Sequence, residues 1–528
     1  MPEELRMTIY QQGDINTAAL IVPDLYVQIV PPQNLVLNGV PTNLLGVVGT
    51  ASWGPVNQPV VVGSMSDYVN AYGPVIARKY DMATNVATAI QQGASAFRCV
   101  RVTDGTDTAA SYAIGFVSGS YAALLTARYT GSLGNGITIT LAPVTGQNAW
   151  TLTISKPGML PEVFANIPAT TPAAFWQALV SAINHGTGPL RANSQLVVAT
   201  LGTLTSTMPA AVTAQPLLGG TDGVINITAA TLVGQDILPR TGMYALRGQG
   251  CSVALLADTD DSTQWVTQTS FGASEGVYMI LTGPAGDTIT DAVNVIAEAG
   301  LNSTSAKLMF GDWVFWQDQT NNLIRIVSPQ GFVAGRLGNL SPEQTSLNKP
   351  LYSIIGTQKS GVPGSGQTAT YSDAELATLF QAGIDVIANP QPGGAYWGVR
   401  CGHNTSSNPA TYGDNYSRMT NFIAATLAAG MGPFVGQVIN TQLFQQIRST
   451  QLSFLQTLLN QGILGLNGSG QLPFSVICDG TNNPVSQTSL GYVQSDAQVQ
   501  YQGINEKFIV NVEGGQTVVV QQQILPTS

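Results

Sequence analysis

Apolar runs and helix-period stretches alternate along this chain. Residues 43–50, NLLGVVGT, read as a buried strand, and Gly54-Pro55 marks a turn after it. PVVVGSMSDYVNAYGP, from Pro59, predicts a short strand and then a helix, capped by Ser64 or Ser66 and stopped at Gly73-Pro74. A helix over 81–93 and a strand over 97–102 follow, and strand–helix–strand implies an α/β core. From about 119 to 222 the texture changes to Thr/Val/Leu-rich strands with turns at GSLGNG (131–136). One helix is expected there, over 172–184, and LLGGTDG (217–223) closes the segment. The α/β pattern then resumes, with strands over 252–257, 277–282, 308–316 and 323–327 and helices over 259–271 and 287–300. Ser341-Pro342-Glu343-Gln344 reads as a capping box with proline at the first helical position. Ser372-Asp373-Ala374-Glu375 reads as another, with Gly383 ending its helix. Strands over 384–388 and 396–401 lead to long helices over 416–429 and 440–462, the second with Leu452, Leu455 and Leu459 on one face. A strand over 474–478 precedes the terminal segment.

Both ends are unusual. The first 22 residues mix polar groups with one apolar patch at 18–22, a pattern that does not close on itself and reads as an arm. Tyr26 to Val30 then alternates as a strand until Pro31-Pro32. At the other end Phe508, Val510 and Val512 alternate with Ile509 and Asn511, and Val518-Val519-Val520 follow Gly514-Gly515. An unpaired strand of this kind is a pairing hazard unless it has a destined partner.

Composition narrows the function. Only 9% of the 528 residues are charged, against about 25% in a typical soluble protein. A free monomer usually needs more surface charge than this, so much of the surface is suited to being covered. That favours an assembly subunit over an extracellular β-rich protein. Net charge is −10 and no Lys/Arg cluster exists, so a nucleic-acid footprint is absent. Cys99, Cys251, Cys401 and Cys478 lie far apart without a CxxC, and read as buried free thiols. MPEELRMTIY is not a signal peptide, and the longest apolar run, 422–436, contains glycines and Pro433 and fails as a membrane span.

Candidate chemistry is thin. DTDD (Asp258, Thr259, Asp260, Asp261) sits where a strand gives way to a helix, where acidic residues cap. GQGC (Gly248, Gly250) precedes a strand and fails as a dinucleotide loop. His185 and His403 have no partner pattern and read as surface or loop histidines, and WVFW (313–316) reads as core packing. No catalytic nucleophile, base, cofactor site or metal-ligand set is nominated, and an enzyme is not expected.

Several stretches, in order, resemble the tail sheath proteins of contractile-tailed bacteriophages. PDLYVQIV followed by GVPTNLLGVVGTASWGPVNQPVVVGSMSDYVNAYG is similar to the opening pattern of that family, with Gly54 and Pro55 at its Gly-Pro turn and Asp24 where a glycine is usual. LTARYTGSLGN and LLGGTDG resemble segments that bracket sheath insertions. DWVFWQDQTNNLIRIVSPQGFVAGRLGN resembles the central motif, carried by Pro329, Ala334, Gly335 and Arg336, with Pro350 beyond it. GIDVIANPQPGGAYWGVRC resembles the C-terminal pattern, carried by Trp397, Gly398 and Arg400, and ICDGTNNP follows.

The resemblance implies an α/β and α+β multidomain chain. Its parts would be an N-terminal extended arm (1–30), a sheath-type α/β core (31–118 with 223–355), an inserted mostly-β outer domain (119–222), a C-terminal α+β tube-facing domain (356–505) and a C-terminal extended arm (506–528). It implies a structural subunit, not an enzyme. Such subunits form stacked hexameric rings around a tail tube in a metastable extended state and contract to drive the tube through the host envelope for genome delivery. Implied partners are other copies, the tail tube protein, and the baseplate and tail terminator proteins, with no nucleic acid, no direct membrane insertion and no cofactor. The place is the virion tail, after assembly in the host bacterial cytoplasm. The arms would donate strands to the C-terminal domain of neighbours through Leu20, Val22, Tyr26, Val27, Phe508, Ile509, Val510, Val512, Val518, Val519 and Val520. The alternatives are the sheath of a capsid-less contractile injection device and, from another class, a virion-surface glycan-binding protein. A cell-wall hydrolase would need a carboxylate pair that the chain does not suggest.

Overall fold

LLGVVG carries no polar side chain to turn toward water, and it lies at the heart of a sheet. Strand Leu44–Gly49 pairs in parallel with Val253–Leu256 on one side and Ala96–Arg101 on the other. The structure is a computed structural model that describes residues 9–12, 26–29, 37–189, 191–466, 468–512 and 514. The sheet has seven strands in the order Ile384–Asp385, Ala306–Met309, Tyr278–Thr282, Val253–Leu256, Leu44–Gly49, Ala96–Arg101 and Pro59–Val62. All are parallel except the last, an antiparallel edge. Both faces are covered, which is why the inner strands read as unbroken apolar runs. Leu45, Val47, Val253 and Leu255 meet helices Met82–Gln91 and Gln330–Asn339 on one face. Val48, Ala254 and Leu256 meet Trp265–Glu275, Ile289–Ala299 and Asp373–Gln381 on the other.

The start of the chain follows expectation closely. Helix Met65–Tyr72 is capped by Ser64, whose side chain accepts from Asp67 N, and stops at Gly73. The structure changes four other readings. Ser341-Pro342-Glu343-Gln344 starts no helix: it is a turn, with Gln344 N–H on the Ser341 carbonyl at 3.1 Å, and Glu343 takes the Ser341 hydroxyl at 2.6 Å. The helix lies just upstream, at Gln330–Asn339, where three glycines hide it from propensity. Two of them let it lie against helix Met82–Gln91, since a Cβ on Gly331 would collide with Thr88 and one on Gly335 with the Ala89 backbone, and a Cβ on Gly338 would collide with Leu45 of the sheet. The expected strand over 308–316 is two strands in two sheets. Ala306–Met309 belongs to the parallel sheet, and Val314–Asp318 to an antiparallel one with Leu323–Val327 and Ile354–Thr357. Between them Gly311 lies so close to the Pro284 carbonyl that a Cβ would not fit. The strand over 384–388 splits likewise, since Ile387–Ala388 leaves the core sheet to pair with Gly398–Val399. The helix expected over 259–271 begins as a 3-10 turn, Ser262–Gln264, and becomes α-helical at Trp265–Glu275.

The segment between the halves of the core folds as two antiparallel sheets and a helix. One sheet runs Glu162–Pro168, Ala149–Ser155, Thr138–Pro143, Val212–Pro216, and the other Val197–Leu201, Ala123–Ala127, Ser111–Ile114. Helix Pro172–His185, capped by Thr171, buries Phe175, Trp176 and Leu179 against Ile139, Leu152 and Phe164. In the C-terminal part, helices Asp414–Gly430 and Thr441–Asn460 enclose Met419, Phe422, Phe454, Leu455 and Leu458 together with Leu37. Leu452 and Leu459 pack on that cluster. A two-stranded antiparallel sheet, Phe474–Ile477 with Asp496–Val499, completes this part. Near the N-terminus, Ile9–Gln12 pairs in parallel with Tyr26–Ile29.

Candidate functional site

In an open parallel sheet, ligands bind where neighbouring strands send their connections in opposite directions. That point lies here between the ends of Leu44–Gly49 and Val253–Leu256, and the chain fills it with its own side chains. Asp258, buried, accepts from Tyr80 N at 3.1 Å, the Ser328 hydroxyl at 2.7 Å and Asn85 Nδ2 at 3.4 Å. Gln330 takes Asp258 N–H at 3.0 Å and donates to the Ile280 carbonyl at 2.7 Å. Burial pushes the Asp258 carboxyl up. The capping expected of DTDD therefore holds for Asp261 alone, which accepts from Thr263 N; Asp260 pairs with Lys79 at 2.9 Å. Among the described residues no three His, Cys, Asp or Glu side chains gather as a metal site. The four cysteines are buried free thiols, and burial pushes those of Cys99, Cys251 and Cys401 up, away from reactive thiolate. Among the described residues no helix is long and apolar enough to cross a membrane.

What the chain builds instead are two polar seams. At the first, Arg101, fully buried, donates to the carbonyls of Gly54 at 2.9 Å, Thr130 at 2.7 Å and Asp222 at 3.3 Å. Asp222 takes Arg78 at 2.6 Å and Ser132 N–H at 2.7 Å. Burial alone would raise its carboxyl, but those donors outweigh it and hold it below the ordinary range. Asn135 makes two bonds to Gly220, 3.0 Å from Nδ2 to the carbonyl and 2.8 Å from the Gly220 N–H. The Gly54-Pro55 turn, with Gly54 at φ 95°, is thus the receptor for a cation that ties the inserted sheets to the core.

At the second seam, Lys307 on the core sheet is fully buried, 2.5 Å from Asp385 and 3.6 Å from Asp414. Asp385 also takes the N–H groups of Cys401 at 2.9 Å and Gly402 at 2.7 Å. Asp414, at the start of its helix, takes the N–H of Ser346 at 3.1 Å and its hydroxyl at 2.5 Å. Burial would push the Lys307 ammonium down, but the two carboxylates outweigh it and hold it above the ordinary lysine range. One turn on, Arg418 spreads over four carbonyls, Leu337 at 2.7 Å, Leu340 at 2.6 Å, and Ser341 and Gln344 at 3.2 Å. It thereby caps the C-terminus of Gln330–Asn339, whose last carbonyls lack partners of their own. Sequence reasoning missed Lys307, Asp385, Asp414 and Arg418. For Lys307 and Asp385 a signal was present, since AKLM and GIDVI each set one charge inside an apolar strand.

The family-motif residues fall beside these seams. Pro329 precedes the Gln330–Asn339 helix and Gly335 lies in its contact with Ala89. Arg336, half-buried on the same helix, has no hydrogen-bond or ion-pair partner among the described residues. Trp397 packs on the core and its carbonyl takes Leu351 N–H at 2.8 Å. Gly398 leaves no room for a Cβ beside the Lys349 carbonyl, and Arg400 lines a groove of about 1390 Å³ bounded by the 343–349 turn, the 400–412 loop and the terminal segment 502–508. Of the expected strand donors, Phe508, Ile509, Val510 and Val512 stand 63–86% exposed and outside regular structure. Tyr26 and Val27 lie in the strand paired with Ile9–Gln12. Leu20, Val22, Val518, Val519 and Val520 fall outside the described residues. The Phe474–Ile477/Asp496–Val499 sheet has no third strand among the described residues, so each strand has one open edge.

No protein-family model matches the chain, and no curated protein sequence does. Solved structures do. The sheath tail protein of Desulfitobacterium hafniense is similar over 86% of this chain and 93% of its own, at a TM-score of 0.57 and 16% identity. That of Listeria innocua is similar over 84% and 90%, at 0.57 and 15%. The sheath of the anti-feeding prophage in its contracted state is similar over 93% of this chain and 99% of its own, at 0.53 and 10%. Parallel core, inserted sheets and C-terminal helices together are the fold of the contractile tail sheath proteins.

Proposed function

We propose that this chain is the structural subunit of a contractile sheath. The observation that carries the reading is a likeness spanning nearly the whole of several sheath proteins, rather than one domain of them. In this reading copies polymerise as stacked hexameric rings around a tail tube, in an extended metastable state, and meet baseplate and terminator proteins at the two ends. Contraction drives the tube through a host envelope, with the virion tail as the place of action. The core carries the inserted sheets outward and the C-terminal helices inward.

The arms link the copies. Backbone hydrogen bonds from a donated strand satisfy an open edge, and alternating side chains set its register. The two-stranded C-terminal sheet suits the acceptor role, because two strands alone are marginal in water. The apolar run Phe508–Val512, held in solvent, suits the donor. Such head-to-tail links do not close on one pair, so they propagate. Within each copy the buried charges of both seams join the bodies, which leaves the arms as the compliant parts. A bias of even ~2–3 kcal/mol per copy, coupled through a lattice, is enough to make the transition one-way.

Electron microscopy of the purified full-length protein tests this. Helical sleeves or ring stacks are expected, and dispersed monomers at high concentration refute it. The sheath of an injection device without a capsid is the close variant, supported by the likeness to the anti-feeding prophage. Particles isolated from the source organism with or without capsids separate the two.

A further inference from the structure

The chain leaves its C-terminal domain through a short series of holds. Gln500 N–H meets the Pro473 carbonyl at 2.6 Å, and the Tyr501 hydroxyl lies 3.0 Å from Thr420 while its ring packs edge-on against Tyr416. Gln502 reaches the Gly462 carbonyl at 3.4 Å. The final hold is Glu506. One of its carboxylate oxygens lies 2.9 Å from His403 Nε2 and the other accepts from the Tyr412 hydroxyl at 2.8 Å. The two rings are in contact, tilted by 36° with centroids 3.6 Å apart, so the clamp is a preformed pair of donors. Beyond it Phe508, Ile509 and Val510 are 63–81% exposed. His403 and Tyr412 belong to one loop, closed by a bridge between His403 and Gly413. That loop begins at Gly402, which donates to Asp385, and ends at Asp414, so both of its ends are bound into the Lys307 seam.

We infer that Glu506 is the pivot of the C-terminal arm: His403 and Tyr412 grip its carboxylate, fix where the free tether begins, and pass load on the arm into the core sheet through Asp385 and Lys307. This rests on the sheath reading above. The clamp matters because effective concentration falls roughly as the −3/2 power of tether length. From Glu506 to Val518 is about 12 residues, and from Gln502, the last hold left if the clamp is lost, about 16, so release dilutes each arm about 1.5-fold by this scaling. The loss compounds over all arms that must engage when a ring adds.

The test uses the full chain and its variants Glu506→Ala, Glu506→Gln and Lys507→Ala, the last altering the neighbouring charge but not the clamp. Hydrogen exchange of the Asn404 and Gln500 amides, bonded to the Tyr412 and Pro473 carbonyls on either side of the clamp, should quicken on the order of tenfold in Glu506→Ala, as charge-assisted bonds are lost. Glu506→Gln should fall between, and Lys507→Ala should match the parent. Sleeve elongation followed by light scattering should slow severalfold in Glu506→Ala at unchanged melting temperature. Parental exchange in Glu506→Ala, or parental elongation despite faster exchange, overturns the pivot. A parent chain that never forms sleeves overturns the sheath reading instead, and the exchange result then judges the clamp alone.

Discussion

Replacing Lys307 by methionine keeps the aliphatic stem and removes the ammonium. Two carboxylates then remain in a site where Lys307, Asp385 and Asp414 are all at most 1% exposed. Breaking a buried ion pair by deleting one partner typically costs ~3–5 kcal/mol, because the other charge is left uncompensated. Here two carboxylates lose their shared cation, and one oxygen of Asp414 already has no hydrogen-bond partner. The larger end of that range is expected. The damage should be local before it is global, because the amides of Cys401, Gly402 and Ser346 are held by those carboxylates. Hydrogen exchange resolved by peptide, alongside a urea titration, reads both levels. Removing charge from both sides, as in Lys307→Met with Asp414→Asn, should recover part of the loss, with a coupling of roughly 0.5–3 kcal/mol. A single variant whose urea midpoint and whose exchange at 401–402 and 346 match the parent refutes the reasoning, and the seam is then no more than packing. The pH response has a definite sign. A lysine held above its ordinary value contributes stability that is fully present below about pH 10.5 and is lost as pH rises through the folded value, so the parent should loosen at this seam on the alkaline side.

Gly335→Ala sets two effects against each other: alanine gains roughly 1 kcal/mol of helix propensity, yet its Cβ meets Ala89 backbone, which cannot turn aside. Overpacking of that kind costs ~1–3 kcal/mol or more, so net destabilisation is expected in thermal melts, and a stabilised variant contradicts the helix contact. Asp81, buried at the cap of Met82–Gln91, has its carboxyl pushed up by burial to about 7, against hydrogen bonds from Thr84. Its protonated form is therefore favoured on folding, and stability should fall as pH rises from about 4 to 7, by up to ~4 kcal/mol from this group. Asp81→Asn keeps the cap and should flatten that slope in urea titrations across pH; an unaltered slope counts against the assignment. Deleting 514–528 should leave melting unchanged and abolish sleeves, deleting 1–22 should do the same, and sleeves of normal length from either truncation defeat strand donation by that arm.

Much of the core was legible because both faces of its sheet are covered. Leu44–Gly49 and Val253–Leu256 are apolar at every turn of the pleat, and no other element explains such runs. Caps at Ser64 and Ser372 could be anticipated because a side-chain oxygen satisfies a helix's orphan amides locally. Gln330–Asn339 was illegible for the opposite reason: its glycines are poor helix formers chosen by neighbours far away in the chain, Gly331 and Gly335 by the helix near Ala89 and Gly338 by Leu45. The breaks at 310–313 and at Val386 are likewise tertiary. Gly311, pressed on the Pro284 carbonyl, marks the first, and the carboxylate of Asp385, standing in for a strand partner, marks the second.

The charges show the same division of labour. A chain with 9% charged residues buries Arg101, Lys307, Asp385, Asp414 and Arg418 at its internal seams, where each is worth most and most costly to misplace. Little is left for the C-terminal domain: from Asn415 to Asn505 its charged residues are Arg418, Arg448, Asp479 and Asp496. A surface so nearly neutral cannot steer a partner by long-range fields. It can still select one by shape and backbone pairing, which act only at contact. In the sheath we propose, directional strand exchange supplies the specificity that surface charge does not, and the polar seams hold each copy together while its arms reach the next.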